Sequence, residues 1–405
     1  MNKTVIVGGG AAGFFLAVNL KEMVPTMEVT ILERSQRMLA KVEISGGGRC
    51  NCTNTFANVS DLSQVYPRGH RLLKRLFKQF DYRDAYQWFE RHGVRLTTQE
   101  DDCVFPASQD SHSIINCFLS EARRYSINIY TGARVGSLED LTDYDFVAVC
   151  TGGSPRMEGL QWLADTGHEI VPPVPSLFTL SIADKALTEL MGTVVDNVHV
   201  MIPGTKMRSE GPLLITHWGV SGPAVLKLSS YAARLLNEAS YQVPLSINWT
   251  GKREPDVLAA LQDIAAQHPQ KQVTSIAPCG LPARLWFYLT TKTLGERSQN
   301  RWQNLNQKEL NRLTNALTNT TLQTAGRAAF RDEFVTCGGI ALSGVNPSTL
   351  ESKQIPHLYF AGEVLDIDGI TGGFNFQAAW TTAYVVATSI AREVELESAH
   401  ITSSF

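Results

Sequence analysis

Hydrophobic and polar positions along the first 33 residues predict a strand, a tight turn, a helix and a second strand. Residues 4–7 are a short apolar run rich in β-branched side chains, and four glycines follow within residues 8–13. The apolar positions then continue through AAGFFLAVNLKEM (11–23), which is typical of a buried helix. The segment EVTILE (28–33) has the composition of a second strand and ends at Glu33.

The middle of the chain follows a different pattern. Three segments within residues 254–330 predict short helices, and Asn306 with Glu309 is typical of a helix-starting capping box. A strand at 357–363 (HLYFAGE) and a helix over 375–391 are predicted near the C-terminus. Apolar segments at irregular spacing predict an antiparallel barrel; they are 176–182, 193–202, 212–218, 241–249 and 333–342.

Composition narrows the class of protein. A length of 405 residues suggests two or three domains. The net charge of −3 gives no global attraction to nucleic acid or to anionic membranes. Seven cysteines in so long a chain fit a reduced, cytoplasmic protein better than a disulfide framework. No signal peptide and no membrane span are expected, because glycines interrupt the first apolar stretch and no run of about 18 apolar residues occurs.

The first turn carries a dinucleotide-binding motif. Gly8, Gly10 and Gly13 form G-x-G-x-x-G between the first strand and the first helix, as the motif requires. Gly10 lets the backbone approach a pyrophosphate, and the helix N-terminus faces the anion. Glu33 lies at the strand end where an acid accepts hydrogen bonds from the adenosine ribose, which argues against a 2′-phosphate. No second such motif follows a strand, so one dinucleotide cradle is predicted.

Two further glycine-rich turns have the pattern of a flavin site. The strand 357–363 ends in Gly362 and Glu363, and a loop with Gly372 and Gly373 precedes the last helix. The N-terminus of such a helix favours the negative charge that a flavin acquires on reduction, by about 0.3–2 kcal/mol. The segment YDFVAVCTGGSP (144–155) predicts a third turn at 151–153, which would pass beside the cofactor.

The segment EISGGGRCNCTN (43–54) is consistent with a phosphate cradle, a redox disulfide or half of a metal site. On a strand, Cys50 and Cys52 would point to opposite faces, and no second pair of ligands with zinc spacing lies near them. The phosphate cradle is therefore favoured. Its backbone amides would come from three consecutive glycines at 46–48, and Arg49 would add a fixed cation.

The chain resembles a family of bacterial flavoproteins, the uncharacterised NAD(P)/FAD-dependent oxidoreductases, also described as aminoacetone-oxidase-like or bile-acid-reductase-like. The resemblance is carried by GGGAAG (8–13), ISGGGRCNCTN (44–54), FPAS (105–108), THWGVSGPA (216–224) and LYFAGEVLDIDGITGGFNFQAA (358–379). It implies an α/β fold, in which a Rossmann-like, two-dinucleotide-binding-type FAD domain (1–172 and 345–405) is split by an inserted β-barrel (173–253 and 331–344) with a small helical lobe (254–330). The stretch after 151–153 is shorter than in many relatives, so the resemblance does not carry a substrate over to this chain.

The resemblance also implies FAD as the cofactor. The residues expected to bind it are Gly8, Gly10, Ala11, Ala12, Gly13, Glu33, Arg34, Lys41, Ser45, Gly46, Gly47, Gly48, Arg49, Cys50, Asn51, Val135, Thr151, Gly152, Gly153, Gly362, Glu363, Gly373, Phe374 and Asn375. No metal is expected.

The expected activity is hydride transfer between FAD and a small or steroid-like organic substrate, with NAD(P)H or O2 as the other redox partner. No catalytic acid or base follows from the sequence, and the pocket candidates are His217, Trp218, Asp366, Phe374, Cys50 and Glu363. The alternative is a flavoprotein that acts on tRNA or only binds FAD. The one basic segment of the chain that could bind RNA is 68–78 (RGHRLLKRLFK). A helix with a solvated face explains this segment more simply than RNA binding does, so no nucleic-acid partner is expected.

Overall fold

The structure is a computed structural model that describes residues 2–154, 156–328 and 335–403, with side chains through 398. The chain forms two compact units. The first contains residues Met1–Pro175 and Arg331–Phe405, and the second contains Ser176–Phe330. The second unit is therefore one continuous insertion into the first. The three helices predicted in 254–330 belong to this second unit, together with the barrel.

The elements are numbered in chain order over the described residues. The strands are β1 (Lys3–Val7), β2 (Glu28–Glu33), β3 (Thr53–Asn54), β4 (Leu96–Thr98), β5 (Cys103–Pro106), β6 (Asn128–Thr131), β7 (Phe146–Val149), β8 (Ile170–Ser176), β9 (Leu180–Ile182), β10 (Val194–Met201), β11 (Arg208–Ile215), β12 (Gly219–Ser221), β13 (Pro244–Asn248), β14 (Thr320–Arg327), β15 (Val335–Ile340) and β16 (Leu358–Phe360).

The α-helices are α1 (Ala11–Met23), α2 (Ala40–Gly48), α3 (His70–Leu76), α4 (Tyr82–Arg91), α5 (His112–Arg124), α6 (Gln161–Ala164), α7 (Lys185–Thr188), α8 (Pro223–Tyr231), α9 (Ala233–Glu238), α10 (Glu254–Gln267), α11 (Ala283–Leu294), α12 (Gln307–Thr318) and α13 (Phe374–Ser403).

The first unit is built on a parallel sheet in the order β16-β7-β1-β2-β6, which confirms the predicted Rossmann-like class. Residues 4–7 of the central strand β1 are all buried, because helices cover a parallel sheet on both faces. Helix α1 packs on α13, and Phe15 of α1 contacts the rings of Trp88, Phe118 and Trp380. Since these strands are parallel, the turns that follow them open at one edge of the sheet.

The second unit contains a closed six-stranded barrel in the order β10-β11-β12-β9-β14-β13. The sequence predicted four of these strands but not the short β12 or the eight-residue β14, which lies at the end of the segment 254–330 that was expected to be helical. It placed segment 333–342 in the barrel as well, and this assignment is wrong for its described part. Strand β15 pairs with β8 as a separate two-stranded sheet in the first unit. The contact is too close for a side chain, because a Cβ at Gly338 would lie 2.6 Å from the carbonyl oxygen of Pro172.

One of the predicted helices is longer than expected, and another begins as predicted. Helix α13 begins at Phe374 and continues to Ser403, twelve residues beyond the predicted end at 391. Helix α12 begins with the predicted capping box of Asn306 and Glu309. Within the described residues, no helix is long and apolar enough to cross a bilayer.

Candidate cofactor site

Two glycines of the first turn are required by close backbone contacts. A Cβ at Gly8 would lie 2.3 Å from the carbonyl oxygen of Cys150, and one at Gly13 would lie 2.0 Å from the carbonyl oxygen of Gly8. Gly10 is different, because a Cβ there would meet no atom within 4 Å. Gly10 is the N-cap of α1 and no side chain caps the helix, so the first amides of α1 remain available to an anion.

Glu33 closes this turn from the end of β2. Its Oε2 accepts a hydrogen bond from the Gly9 amide at 2.8 Å, and its Oε1 accepts one from the Ser35 amide at 2.9 Å. Each carboxylate oxygen keeps a further acceptor position, which a ribose hydroxyl can use. Arg34 is exposed next to it, whereas Val135 packs on the apolar cluster of Val5 and its neighbours.

The Gly46–Gly48 loop interrupts α2. Ser45, Gly46 and Gly47 are non-helical, and the three glycines have φ angles of +57°, +69° and +84°. Nothing lies within 4 Å of a Cβ placed at Gly47 or Gly48, so this loop presents open backbone. Arg49 is held in place beside it. Its guanidinium stacks 4.3 Å from the centroid of the Phe105 ring, and its Nε donates to the Gly46 carbonyl at 3.1 Å.

The two cysteines that follow are inaccessible to solvent. Cys50 and Cys52 are both fully buried, and no described cysteine forms a disulfide. Burial raises the pKa of the Cys50 thiol to about 12, although a hydrogen bond with Ser45 acts in the opposite direction. The Cys52 thiol donates to the Val104 carbonyl. The Cys50 thiol therefore does not reach the surface of the loop in this structure, and its place beside the cofactor stays a prediction.

The turns after β7 and β16 meet. Glu363 binds Lys41 Nζ at 2.7 Å through one carboxylate oxygen and accepts from the Thr336 amide at 2.7 Å through the other. A Cβ at Gly153 would lie 2.6 Å from both the Thr336 Cβ and a Glu363 carboxylate oxygen, so a larger residue there would force these side chains to move. Gly362 donates its amide hydrogen to Thr382 Oγ1, and a Cβ there would lie 2.9 Å from the Ala12 Cβ. The C-terminal turn thus packs against the first turn of α1.

Asn51 joins the Gly46–Gly48 loop to the start of α13. With its amide oriented to satisfy its neighbours, its Oδ1 accepts from the Gly373 amide at 3.2 Å and its Nδ2 donates to the Thr53 carbonyl at 2.9 Å. Asn375 closes the loop before α13 by bonding both the amide and the carbonyl of Gly369. The Phe374 ring is only 5% exposed and packs edge-on against Phe56, so it belongs to the core rather than to a pocket wall.

The loop before α13 is anchored by an ion pair that sequence reasoning missed. Arg68 binds the carboxylate of Asp368 through two nitrogens, and the side chains are 12% and 0% exposed. Burial alone would lower the pKa of Arg68, but the hydrogen bonds to Asp368 outweigh it and raise the pKa. Arg68 lies before α3, whose Arg71, Lys74 and Arg75 are exposed, as expected of a helix with a solvated face in 68–78. Only the pairing of Arg68 with Asp368 was missed. No sequence pattern could connect the two, because they are 300 residues apart.

Two pocket candidates lie in the other unit. His217 and Trp218 follow β11, are both exposed, and have ring centroids 4.4 Å apart. Asp366 is half-buried in the first unit, between β16 and α13, where its amide donates to the Ile340 carbonyl. The role of all three in the chemistry stays a prediction.

One further cluster of titratable groups lies on α1, α4 and α5. His92 bonds the Trp88 carbonyl through Nδ1 at 2.7 Å and Glu22 through Nε2 at 2.9 Å, and Glu121 is close by. Burial lowers the pKa of His92, but its bonds to Glu22 and to the Trp88 carbonyl outweigh this and raise it. Burial raises the pKa of Glu22, and the pairing with His92 more than reverses that effect and lowers it. Both shifts favour the charged forms, so they favour an ion pair between His92 and Glu22.

The residues at the sheet edge fit FAD. Gly8, Ala12, Gly13, Cys50, Gly362 and Phe374 are buried and shape the loops, whereas the other predicted cofactor residues are half-buried or exposed. Open backbone at Gly10, at Gly47–Gly48 and at Gly152 can approach phosphates and a flavin edge without a steric obstacle. The hydrogen bond between Asn51 and the Gly373 amide connects the Gly46–Gly48 loop to the N-terminus of α13.

Comparison with known proteins identifies the family of this chain and several relatives of similar length. The family model described as the HI0933-like protein Rossmann domain matches residues 2–389. The 3-dehydro-bile acid delta(4,6)-reductase of Clostridium scindens is 28% identical over 419 residues, which cover 96% of this chain and 99% of that protein. The ribosomal RNA dihydrouridine synthases of Haemophilus influenzae and Escherichia coli are 27% and 26% identical; these matches cover 97% and 95% of this chain, and 99% and 97% of those proteins. The chain therefore belongs to the HI0933-like Rossmann-domain family, which confirms the family of FAD-dependent oxidoreductases expected from its motifs.

Proposed function

We propose that this protein binds FAD at the edge of its parallel sheet and reduces a carbon–carbon double bond conjugated to a carbonyl group. The observation that carries the cofactor assignment is the convergence of the glycine turns after β1, β7 and β16 with the Gly46–Gly48 loop, with open backbone at Gly10, Gly152 and Gly47–Gly48. When bound, FAD would supply a donor and acceptor of hydride, which no amino-acid side chain provides.

The chain's own residues would position the cofactor. The uncapped amides at the start of α1 would bind the pyrophosphate, and Glu33 would accept from the adenosine ribose. The stacked guanidinium of Arg49 would add positive charge beside the open Gly47–Gly48 backbone. The N-terminus of α13, held by Asn51, would favour electron density on the flavin.

The substrate class is suggested by what the relatives' names have in common. A 3-oxo bile acid with double bonds at positions 4 and 6, and a uridine ring, both contain a carbon–carbon double bond conjugated to a carbonyl. Reduction of either bond adds a hydride to the carbon remote from the carbonyl and a proton to the adjacent carbon. We infer the same bond type for this chain, with NAD(P)H as the source of the two electrons. The candidates are therefore a small steroid-like enone and, second, a uridine in ribosomal RNA.

Anaerobic flavin spectroscopy tests this proposal. The purified protein is reduced with NADH or with NADPH, and a 3-oxo-4,6-diene bile acid, protein-free ribosomal RNA or O2 is then added. We expect one of the first two to reoxidise the flavin faster than O2 does. The matched control is a saturated 3-oxo bile acid, which lacks the conjugated bond and should leave the flavin reduced. Absence of a flavin absorption band after incubation with FAD would disprove the cofactor assignment, and reoxidation by O2 alone would disprove the substrate class.

A further inference from the structure

A groove in the second unit has the chemistry of an anion-binding site. It lies between α11 and α12, has a volume of about 430 Å³, and is lined by Lys292, Lys308, Asn311, Arg312 and Asn315, among others. These are three cations and two amides; one of the cations, Lys292, is already ion-paired with Asp184, so Lys308 and Arg312 of α12 are the two cations that the proposal uses. Every one of the five side chains can donate hydrogen bonds, which suits a ligand made only of acceptors.

One face of α12 supplies most of these groups. Lys308 and Arg312 are four residues apart, and so are Asn311 and Asn315 beside them, so the four residues form one row along the helix. All four are exposed. Two like charges four residues apart destabilise a free helix, and no acid on this row offsets them. The opposite row of α12 is apolar and buried, with Leu310, Leu313 and Leu317 in the core.

The charge around this groove differs in sign from that of the whole chain. Residues 271–327 contain eight Lys and Arg against two Glu, a net charge of +6, whereas the chain carries −3. One of the two acids, Glu309, is already paired with Arg297. The composition of the whole chain conceals this segment, and for that reason the net charge did not predict a basic surface outside 68–78.

We propose that the α11–α12 groove binds the phosphate backbone of an RNA substrate. Phosphate oxygens accept hydrogen bonds from Lys, Arg and Asn side chains, and a row of donors along a helix can follow consecutive phosphates. RNA is chosen over other polyanions because two relatives that match nearly the whole chain are named ribosomal RNA dihydrouridine synthases. This inference rests on the uridine branch of the proposed function.

The competing basic surface is the helix α3. Arg71 and Arg75 are exposed on it, four residues apart, as Lys308 and Arg312 are on α12. However, Arg68, which precedes α3, is committed to Asp368. Arg71 and Arg75 therefore provide a matched control for Lys308 and Arg312.

The test measures binding of a fluorescein-labelled RNA hairpin with uridines in its loop, by fluorescence anisotropy between about 50 and 200 mM salt. The double variant Lys308→Gln/Arg312→Gln removes two cations. Counterion release then predicts a salt-dependence slope that is smaller by about 1.8 and binding about 30-fold weaker at 0.15 M salt. The control Arg71→Gln/Arg75→Gln should bind as the wild type does. Both variants should keep their FAD, which shows that they are folded.

Three outcomes would overturn the proposal: no RNA binding by the wild type, wild-type affinity in the α12 variant, or equal loss in the α3 control. Binding of phosphatidylglycerol vesicles through the same residues, without RNA binding, would also reject RNA. Failure of this inference is distinguishable from failure of the proposed function, because flavin reoxidation by a conjugated enone does not depend on the groove. If that chemistry fails, anisotropy still measures RNA binding.

Discussion

Two glycines of the first turn, only three residues apart, predict opposite phenotypes. In Gly13→Ala the new methyl group would lie 2.0 Å from the carbonyl oxygen of Gly8, so α1 must move away from the turn. Such overpacking costs about 3 kcal/mol of unfolding free energy. In Gly10→Ala the methyl group enters open space, and the backbone already has an extended conformation with φ of −96°. The cost is then only the poorer N-cap, about 0.5–1 kcal/mol.

For FAD binding the order of the two variants is reversed, so that Gly10→Ala has the larger effect. The space beside Gly10 is where we expect the pyrophosphate, so Gly10→Ala should reduce FAD affinity by at least about tenfold, or 1.4 kcal/mol. The assay combines urea unfolding of flavin-free protein with the flavin retained per chain after dialysis. Gly10→Ala should lose flavin but remain stable, and Gly13→Ala should lose stability even without flavin. The reasoning would be refuted if Gly10→Ala retained FAD, or if both variants lost the same stability.

Three further predictions concern the surroundings of the site. Arg49→Ala should lower the FAD retained per chain, since it removes the stacked cation and its bond to the glycine loop, whereas Cys52→Ser should retain FAD as the wild type does; the opposite result would revive a role for the thiol. Asp368→Asn should cost about 3–5 kcal/mol in urea unfolding because a buried guanidinium loses its carboxylate, and a loss below 1 kcal/mol would contradict this. His92→Gln should destabilise most near pH 5.5. Because folding raises the pKa of His92, this group stabilises the fold below about pH 6.5, and the stabilisation is lost as pH rises through the pKa of His92 in the folded protein. Because folding lowers the pKa of Glu22, this group stabilises the fold above about pH 4.5, and the stabilisation is lost as pH falls through the pKa of Glu22 in the folded protein. Unfolding curves at pH 5.5 and pH 9 measure the difference, and an equal loss at both would disprove the ion pair.

Local chemistry made much of the site predictable. A strand followed by G-x-G-x-x-G and a helix has few alternative structures, so the turn from Gly8 to Gly13 and the acid at Glu33 lie where the pattern placed them. The glycines of the Gly46–Gly48 loop were predicted to expose backbone because they lack side chains, and two of them have open space around them. Such features depend on neighbours within a few residues, which a sequence displays directly.

Other features depend on residues far apart in the chain. The partner of Arg68 is 300 residues away, and β15 pairs with β8 rather than with the barrel, although its composition suits either sheet. The burial of Cys50 follows from how its loop folds back, and the stacking of Arg49 on Phe105 joins two loops. No periodicity encodes such contacts, because they are decided by tertiary packing.

The insertion has a consequence for the order of folding during synthesis. The second unit is continuous, so its barrel and helices can form once Ser176–Phe330 has left the ribosome. The sheet of the first unit cannot be completed then, since its edge strand β16 and the packing helix α13 follow the second unit in the chain. Strands β1, β2, β6 and β7 must therefore wait with an unpaired edge while about 200 residues are added. We expect this interval, rather than the barrel, to be when the nascent chain most needs protection from aggregation.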